Sequence, residues 1–230
     1  MVGTIPEEYC SNFPELERLD LSHNQLRGSL PSCIDQLTSL SWFDFEHNQL
    51  TGAIPSSIGA LTKLTKLELG PNSFFSQLPT EIGMLTELTW LDVEANRLDG
   101  SIPTEIGNLS RLEWLALGSN FLIGTIPALS SLTALEWMAL ENNRLVGSIP
   151  SLDALQSLTH LSLGFNSLNG NVPDLLTLPQ LSWVDLGNNN FSGNLPDLKL
   201  NDTFAFCSLV NNAGLVDTGF AVGDNCDTGL

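Results

Sequence analysis

Asparagine recurs along the chain at a fixed interval. Asn24, Asn48, Asn72, Asn96, Asn120, Asn143, Asn166, Asn189 and Asn212 are separated by 24 residues four times and then by 23 four times. A period of this size means one small structural unit stacked on copies of itself, because a single unit cannot bury its apolar face alone. The surroundings repeat as well: residues 85–109 read LTELTWLDVEANRLDGSIPTEIGNL and residues 109–132 read LSRLEWLALGSNFLIGTIPALSSL. Nine of the 12 prolines fall in an Ile/Leu/Val-Pro pair that recurs once per repeat, at Pro6, Pro31, Pro55, Pro79, Pro103, Pro127, Pro150, Pro173 and Pro196.

The pattern has a direct physical reading. The L-x-L segments (Leu91 and Val93, Leu115 and Leu117, Leu161 and Leu163) alternate apolar and polar residues, as a short strand with one buried face does. Stacked in parallel, such strands bury a continuous core, each buried Leu contributing about 1.5–3 kcal/mol. The Asn follows the strand, where its amide satisfies backbone groups of the bend and stacked copies form a ladder. Four residues on, Gly28, Gly52, Gly100, Gly124, Gly147, Gly170 and Gly193 suit a turn of unusual backbone angles, a column that Ser76 interrupts. The Pro pairs stiffen an extended return path.

This pattern resembles plant-type leucine-rich repeats, whose consensus L-x-x-L-x-x-L-x-L-x-x-N-x-L-x-G-x-I-P-x-x-I-G-x-L is matched most fully by residues 61–85 and 85–109, with Ile82-Gly83 and Ile106-Gly107 completing it. The resemblance covers residues 3–215. It implies an α/β leucine-rich-repeat solenoid, a horseshoe with a concave parallel β-sheet and short strands and 3-10 turns on the convex side. It also implies a recognition role, as in ectodomains of receptor-like kinases and in polygalacturonase-inhibiting proteins. IPALSSL, IPSLDAL and VPDLLTL are a residue shorter and lack Ile-Gly, so their convex turns are expected to differ. Residues 1–206 form a partial first repeat and about eight repeats of 23–24 residues; residues 207–230 are expected to form a degenerate last repeat and a C-terminal cap.

The chain enters in the middle of a repeat, at Gly3-Thr4-Ile5-Pro6, with no polar cap before it. This suggests a fragment, a truncated gene product, or a chain that has lost its cap and signal peptide. At the other end NNAGLVDTGFAVGDNCDTGL leaves the repeat and is expected to cover the open end with Leu215, Phe220 and Val222. Cys10 and Cys33 lie on successive convex turns, and Cys207 stands where an inward Leu is expected, with Cys226 in the tail. Paired disulfides Cys10–Cys33 and Cys207–Cys226 would staple the two ends of a secreted solenoid; the alternative is four reduced thiols, with Cys207 a small core residue. Asn108, Asn190 and Asn201 lie in N-x-S/T acceptors for glycosylation. Together these features suggest an extracellular or secreted protein, or the ectodomain of a membrane protein.

Charge narrows the partners. With 26 acidic residues against 8 basic, the net charge is −18, which excludes the cationic contacts that nucleic acid and anionic lipid require. No apolar run approaches the length of a membrane span. Outward strand residues should align in columns about 4.8 Å apart. Six residues before each Asn the column reads Arg18, Trp42, Lys66, Trp90, Trp114, Trp137, His160, Trp183 and Phe206, and it holds all five tryptophans. The next columns place Asp44, Glu46, Glu68, Asp92 and Glu94 on three neighbouring strands, while the second half is smaller and less charged. The indoles offer a surface for an apolar side chain, a sugar ring or a cation, and the acids attract Lys or Arg. The bland alternatives are an aromatic column that merely shields the strand edge and an acidic surface that is merely solvated. On the binding reading, Trp114→Ala with Trp137→Ala weakens binding and leaves folding nearly intact.

No phosphate loop, H-E-x-x-H, G-x-S-x-G or G-x-G-x-x-G occurs. His23 and His47 occupy equivalent positions beside Glu46, a start for a metal site but more simply a stacked surface pair. Asp44, Glu68 and Asp92 stand near the separation used by retaining glycosidases, yet an open concave surface is expected to leave them unshielded. The reading is therefore a non-enzymatic module without cofactor or metal, expected to bind a protein or peptide, on its own or as part of a receptor. The alternative is an inhibitor or binder of a cell-wall polysaccharide hydrolase or its glycan. A third reading, ice binding through Thr4, Ser29, Ser101, Thr125 and Ser148, is weakened by Ala53 and Gln77.

Overall fold

The computed structural model describes residues 1–194, 205–216 and 226–229. Each coil opens with a three-residue strand whose middle residue points inward, as in Trp114–Ala116, where Leu115 is buried. Nine such strands, from Arg18–Asp20 to Phe206–Ser208, and the two-residue strand Cys226–Asp227 pair in parallel in chain order. The register is the one that the repeat dictates: Trp114 lies opposite Trp90 and Trp137, and Glu68 opposite Asp44 and Asp92. Every column of the sequence thus becomes a row of touching neighbours. A single core runs the length of the stack, with Phe43, Phe45, Phe74 and Phe191 the largest fully buried side chains beside the leucines.

The Asn amides join the coils, but through backbone rather than through each other. Asn120 Nδ2 donates to the carbonyls of Leu117 and Gly118 in its own bend and of Val93 in the coil before. Its Oδ1 accepts from the Leu98 N–H of that same preceding coil, at 2.9 Å. Asn48, Asn72, Asn96, Asn143, Asn166, Asn189 and Asn212 likewise accept from a backbone N–H of the preceding coil.

After the Asn the chain enters a second strand, and these pair into two five-stranded parallel sheets, from Val2–Thr4 to Arg97–Asp99 and from Ile123–Gly124 to Gly214–Val216. The glycine column closes these strands at positive φ, 71° at Gly100 for example, and Ser76 is forced to φ 72° where its coil has no glycine, a conformation that L-residues resist. Complete Ile-Gly repeats carry five-residue 3-10 helices at Ser56–Ala60, Thr80–Met84 and Thr104–Asn108. The shortened repeats differ as expected: IPALSSL and IPSLDAL form turns without a helix, and VPDLLTL keeps only Leu175–Thr177.

Cys10, in the helix Glu8–Asn12, is bonded to Cys33 on the next coil, and Cys207 is bonded to Cys226. The tail leaves the repeat less completely than its sequence suggests. Gly214–Val216 still extends the second sheet and Cys226–Asp227 still extends the concave sheet, the latter held in register by its disulfide. Leu215 is buried, whereas Phe220 and Val222 lie outside the described residues. Among the described residues no helix is long and apolar enough to cross a membrane.

Candidate functional site

The concave sheet carries an uninterrupted stack along one rim. The Arg18 guanidinium lies 3.8 Å from the Trp42 ring centroid, and the Lys66 ammonium lies between Trp42 and Trp90, at 4.1 and 4.7 Å. Trp90, Trp114 and Trp137 follow at centroid spacings of 4.2 and 4.3 Å, nearly parallel, then His160 at 4.1 Å, Trp183 at 6.1 Å and Phe206 at 4.8 Å. Stacking is a consequence of register: identical rotamers one strand apart place flat rings close to van der Waals contact. Both faces of Trp42, Trp90, Trp114 and Trp137 are therefore covered by a ring or a cation, while Trp183 has Phe206 close on one side and a wider gap to His160 on the other. The Nε1 donors of Trp42, Trp90 and Trp114 are buried and meet no acceptor among the described residues.

Beside the ladder, the registered strands Trp42–Asp44, Lys66–Glu68 and Trp90–Asp92 bring the predicted acids together. One oxygen each of Asp44, Glu46 and Glu68 lie within 4.8 Å of one another. The expectation that an open surface leaves these carboxylates unshielded fails, because Asp44 is 6% and Glu68 7% exposed. Side chains one strand apart cover each other, and Gly70 makes room for a neighbour, since a Cβ there would lie 2.8 Å from Asp92 Oδ1. Burial, reinforced by the Asp44 carboxyl beside it, pushes the Glu68 carboxyl up to about 7, although the Lys66 ammonium 3.0 Å away pulls it down. Burial also raises Asp92 and Glu94, with the Asp92 charge adding to the shift at Glu94.

This has a consequence for stability. A carboxyl whose native pKa lies above its ordinary 4.5 binds protons more tightly when folded, so its contribution is greatest below pH 4.5 and is lost as pH rises through about 7. Glu68→Gln mimics the protonated form and keeps the contact with Lys66. It is expected to raise stability at pH 8 by on the order of 2 kcal/mol and to leave it nearly unchanged at pH 4, which urea unfolding at the two pH values checks.

His23 and His47 stack at 4.5 Å with 17° between their planes, and His23 Nε2 meets Glu46 Oε1 at 2.9 Å. One ligand atom each of His23, Glu46 and His47 lies within 4.8 Å of the others, and the near-parallel rings make a stacked surface pair. The glycosylation acceptors Asn108 and Asn190 are exposed, and Asn201 lies outside the described residues. Two acids were not singled out by the sequence reading: Glu113 and Glu136, which precede Trp114 and Trp137 and line a cleft along the ladder. Their signal was available as one more column, seven residues before the Asn.

Comparisons with known proteins agree with this geometry. The family model described as leucine rich repeat matches residues 2–50 and 86–145. No curated protein matches the chain. Among solved structures, the plant peptide hormone receptor RGFR1 in complex with RGF2 superposes with a TM-score of 0.82 at 39% identity, over 85% of this chain and 32% of that one. A TDR receptor superposes with a TM-score of 0.86 at 36% identity, over 94% of this chain and 37% of that one. The chain thus spans about a third of the length of these receptor chains. A plant ice-binding protein shares the fold at 24% identity and a TM-score of 0.69, over 100% of this chain and 81% of that one. The chain belongs to the leucine-rich-repeat family and is structurally similar to plant receptor ectodomains.

Proposed function

We propose that this chain is a non-enzymatic recognition module that docks a basic protein or peptide segment on its concave sheet, in an extracellular protein or receptor ectodomain. The observation that carries the reading is the gathering of Asp44, Glu46, Glu68, Asp92 and Glu94 on three adjacent strands with Lys66 as the cation among them. Carboxylates held this close in a partly dehydrated place repel one another, and an incoming Lys or Arg relieves that repulsion. The ladder beside them supplies a rigid apolar rim of ring edges. That RGFR1 is a peptide hormone receptor supports a peptide as the partner, and the two disulfides support an oxidising compartment.

Catalysis is disfavoured on geometry. Asp44 and Glu68 stand opposite each other on adjacent strands, each with an oxygen within 4.8 Å of the other, and both are buried, which leaves no open cleft between them for a glycosidic bond. A glycan platform needs a run of open indole faces, and both faces of Trp42, Trp90, Trp114 and Trp137 are occupied. Selection from a random dodecapeptide display library tests the reading. Lys- and Arg-rich peptides whose binding weakens steeply between low and physiological salt are the expected result. Neutral apolar sequences bound without salt dependence would count against it.

A further inference from the structure

The concave rim holds a second feature, distinct from the acidic cluster. A cleft of about 170 Å³ runs beside Trp90, Trp114 and Trp137, with Glu113 and Glu136 on its wall and Thr159 and His160 at one end. We propose that this cleft is a pocket for a single arginine side chain, whose guanidinium bridges Glu113 and Glu136 while its methylene stem lies along the indole edges. The inference rests on the docking reading only for the source of that arginine.

Four observations lead to it. Glu113 and Glu136 immediately precede the registered pair Trp114 and Trp137, so their carboxylates project from strands about 4.8 Å apart. Both residues are exposed, and neither makes an ion pair among the described residues, where the ion pairs join Arg18 to Asp20, His23 to Glu46, Lys66 to Glu68 and Arg111 to Glu87. Two like charges at one strand pitch repel, and a cation shared between them removes the repulsion. A planar guanidinium presents a fork of donors that reaches two carboxylates at once, whereas an ammonium is a point charge on a thinner head.

The indoles fix where the cation sits. Their faces are closed by stacking, and their edges carry the positive end of the ring quadrupole, so the head group belongs at the carboxylates and only the stem at the rings. The chain already seats cations of its own in this chemistry. Lys66 Nζ lies between two indoles, 3.0 Å from Glu68, and the Arg18 guanidinium lies over Trp42, 3.2 Å from Asp20. Beyond Lys66 the aromatic column holds no Lys or Arg, and its histidine does not compete. Burial lowers the His160 pKa, which favours a neutral ring at neutral pH.

The test is a titration of the intact chain with N-acetyl-arginine methylamide at constant ionic strength, read by tryptophan fluorescence and by the indole Hε1 resonances. A saturable change is expected in the native protein. It should weaken about tenfold in Glu113→Gln/Glu136→Gln, whose exposed positions leave the fold intact by circular dichroism. It should stay within about twofold in Asp44→Asn/Glu94→Gln, which alters the cluster and spares the cleft. The matched lysine methylamide should bind several-fold more weakly. No saturable change in the native protein, an unaltered affinity in the rim variant, or equal binding of lysine would each overturn the proposal. Saturation by the arginine probe together with failure to select basic peptides would refute the docking reading and leave the cleft assigned.

Discussion

Replacing Asn120 by alanine is expected to lower the unfolding free energy by about 3 kcal/mol, because the buried Leu98 N–H loses its acceptor and the carbonyls of Val93, Leu117 and Gly118 each lose one of two donors. Asn120 is 5% exposed and makes four hydrogen bonds, one to the Leu98 N–H and three to the carbonyls of Val93, Leu117 and Gly118. Alanine can replace none of them, and the core on both sides admits no rearrangement of the bend. Two of the four bonds reach into the preceding coil, so the loss also weakens the coupling on which a solenoid depends. Asn24 is the control. It bonds to Leu21 and Ser22 of its own bend and to the N-terminal amine, and it stands half-buried near the end of the stack. Asn24→Ala is expected to cost about 1 kcal/mol. Urea unfolding of both variants checks the ratio, and equal losses would refute a role for the amide in joining coils.

Trp114→Ala is expected to cost about 3 kcal/mol. Two parallel ring contacts disappear, at 4.2 Å to Trp90 and 4.3 Å to Trp137, each worth about 0.5–1.5 kcal/mol beyond the apolar area lost. This revises the expectation drawn from the sequence, that truncating Trp114 and Trp137 leaves folding nearly intact. Those indoles are half-buried within a stack, so truncating them removes packing as well as surface. Trp114→Phe keeps a flat ring in the column and is expected to recover more than half of the loss. Were Trp114→Ala to leave the unfolding midpoint unchanged, the ladder would contribute nothing to the fold.

Much of this architecture is legible because the repeat converts one dimension into three. A fixed interval between Asn24 and Asn212 sets the register, and register alone puts Trp90, Trp114 and Trp137 in one row and Asp44, Glu68 and Asp92 in the next. The shortened IPALSSL and IPSLDAL turns follow from a missing residue in the same way. Ring orientation is not in the register. Whether an indole offers its face or its edge depends on a rotamer shared with its neighbours, and a column of letters cannot reveal that a stack closes its own faces. The depth of Asp44 and Glu68 was hidden for a related reason, since each is covered by side chains one strand away. Glu113 and Glu136 were readable, but a glutamate before a tryptophan acquires meaning only when a cleft joins two of them. The last concave strand, Cys226–Asp227, lies beyond the reach of the period because a disulfide rather than a leucine holds it.

The central claim is that the concave acids receive the partner. The direct measurement is the dissociation constant of a library-selected basic peptide for the native chain and for Asp44→Asn/Asp92→Asn/Glu94→Gln, each at low and at physiological salt. A loss of at least about tenfold with a flatter salt dependence, in a variant that unfolds no earlier than the native protein, is the predicted result. An unchanged constant with an unchanged salt dependence would mean that the peptide binds elsewhere.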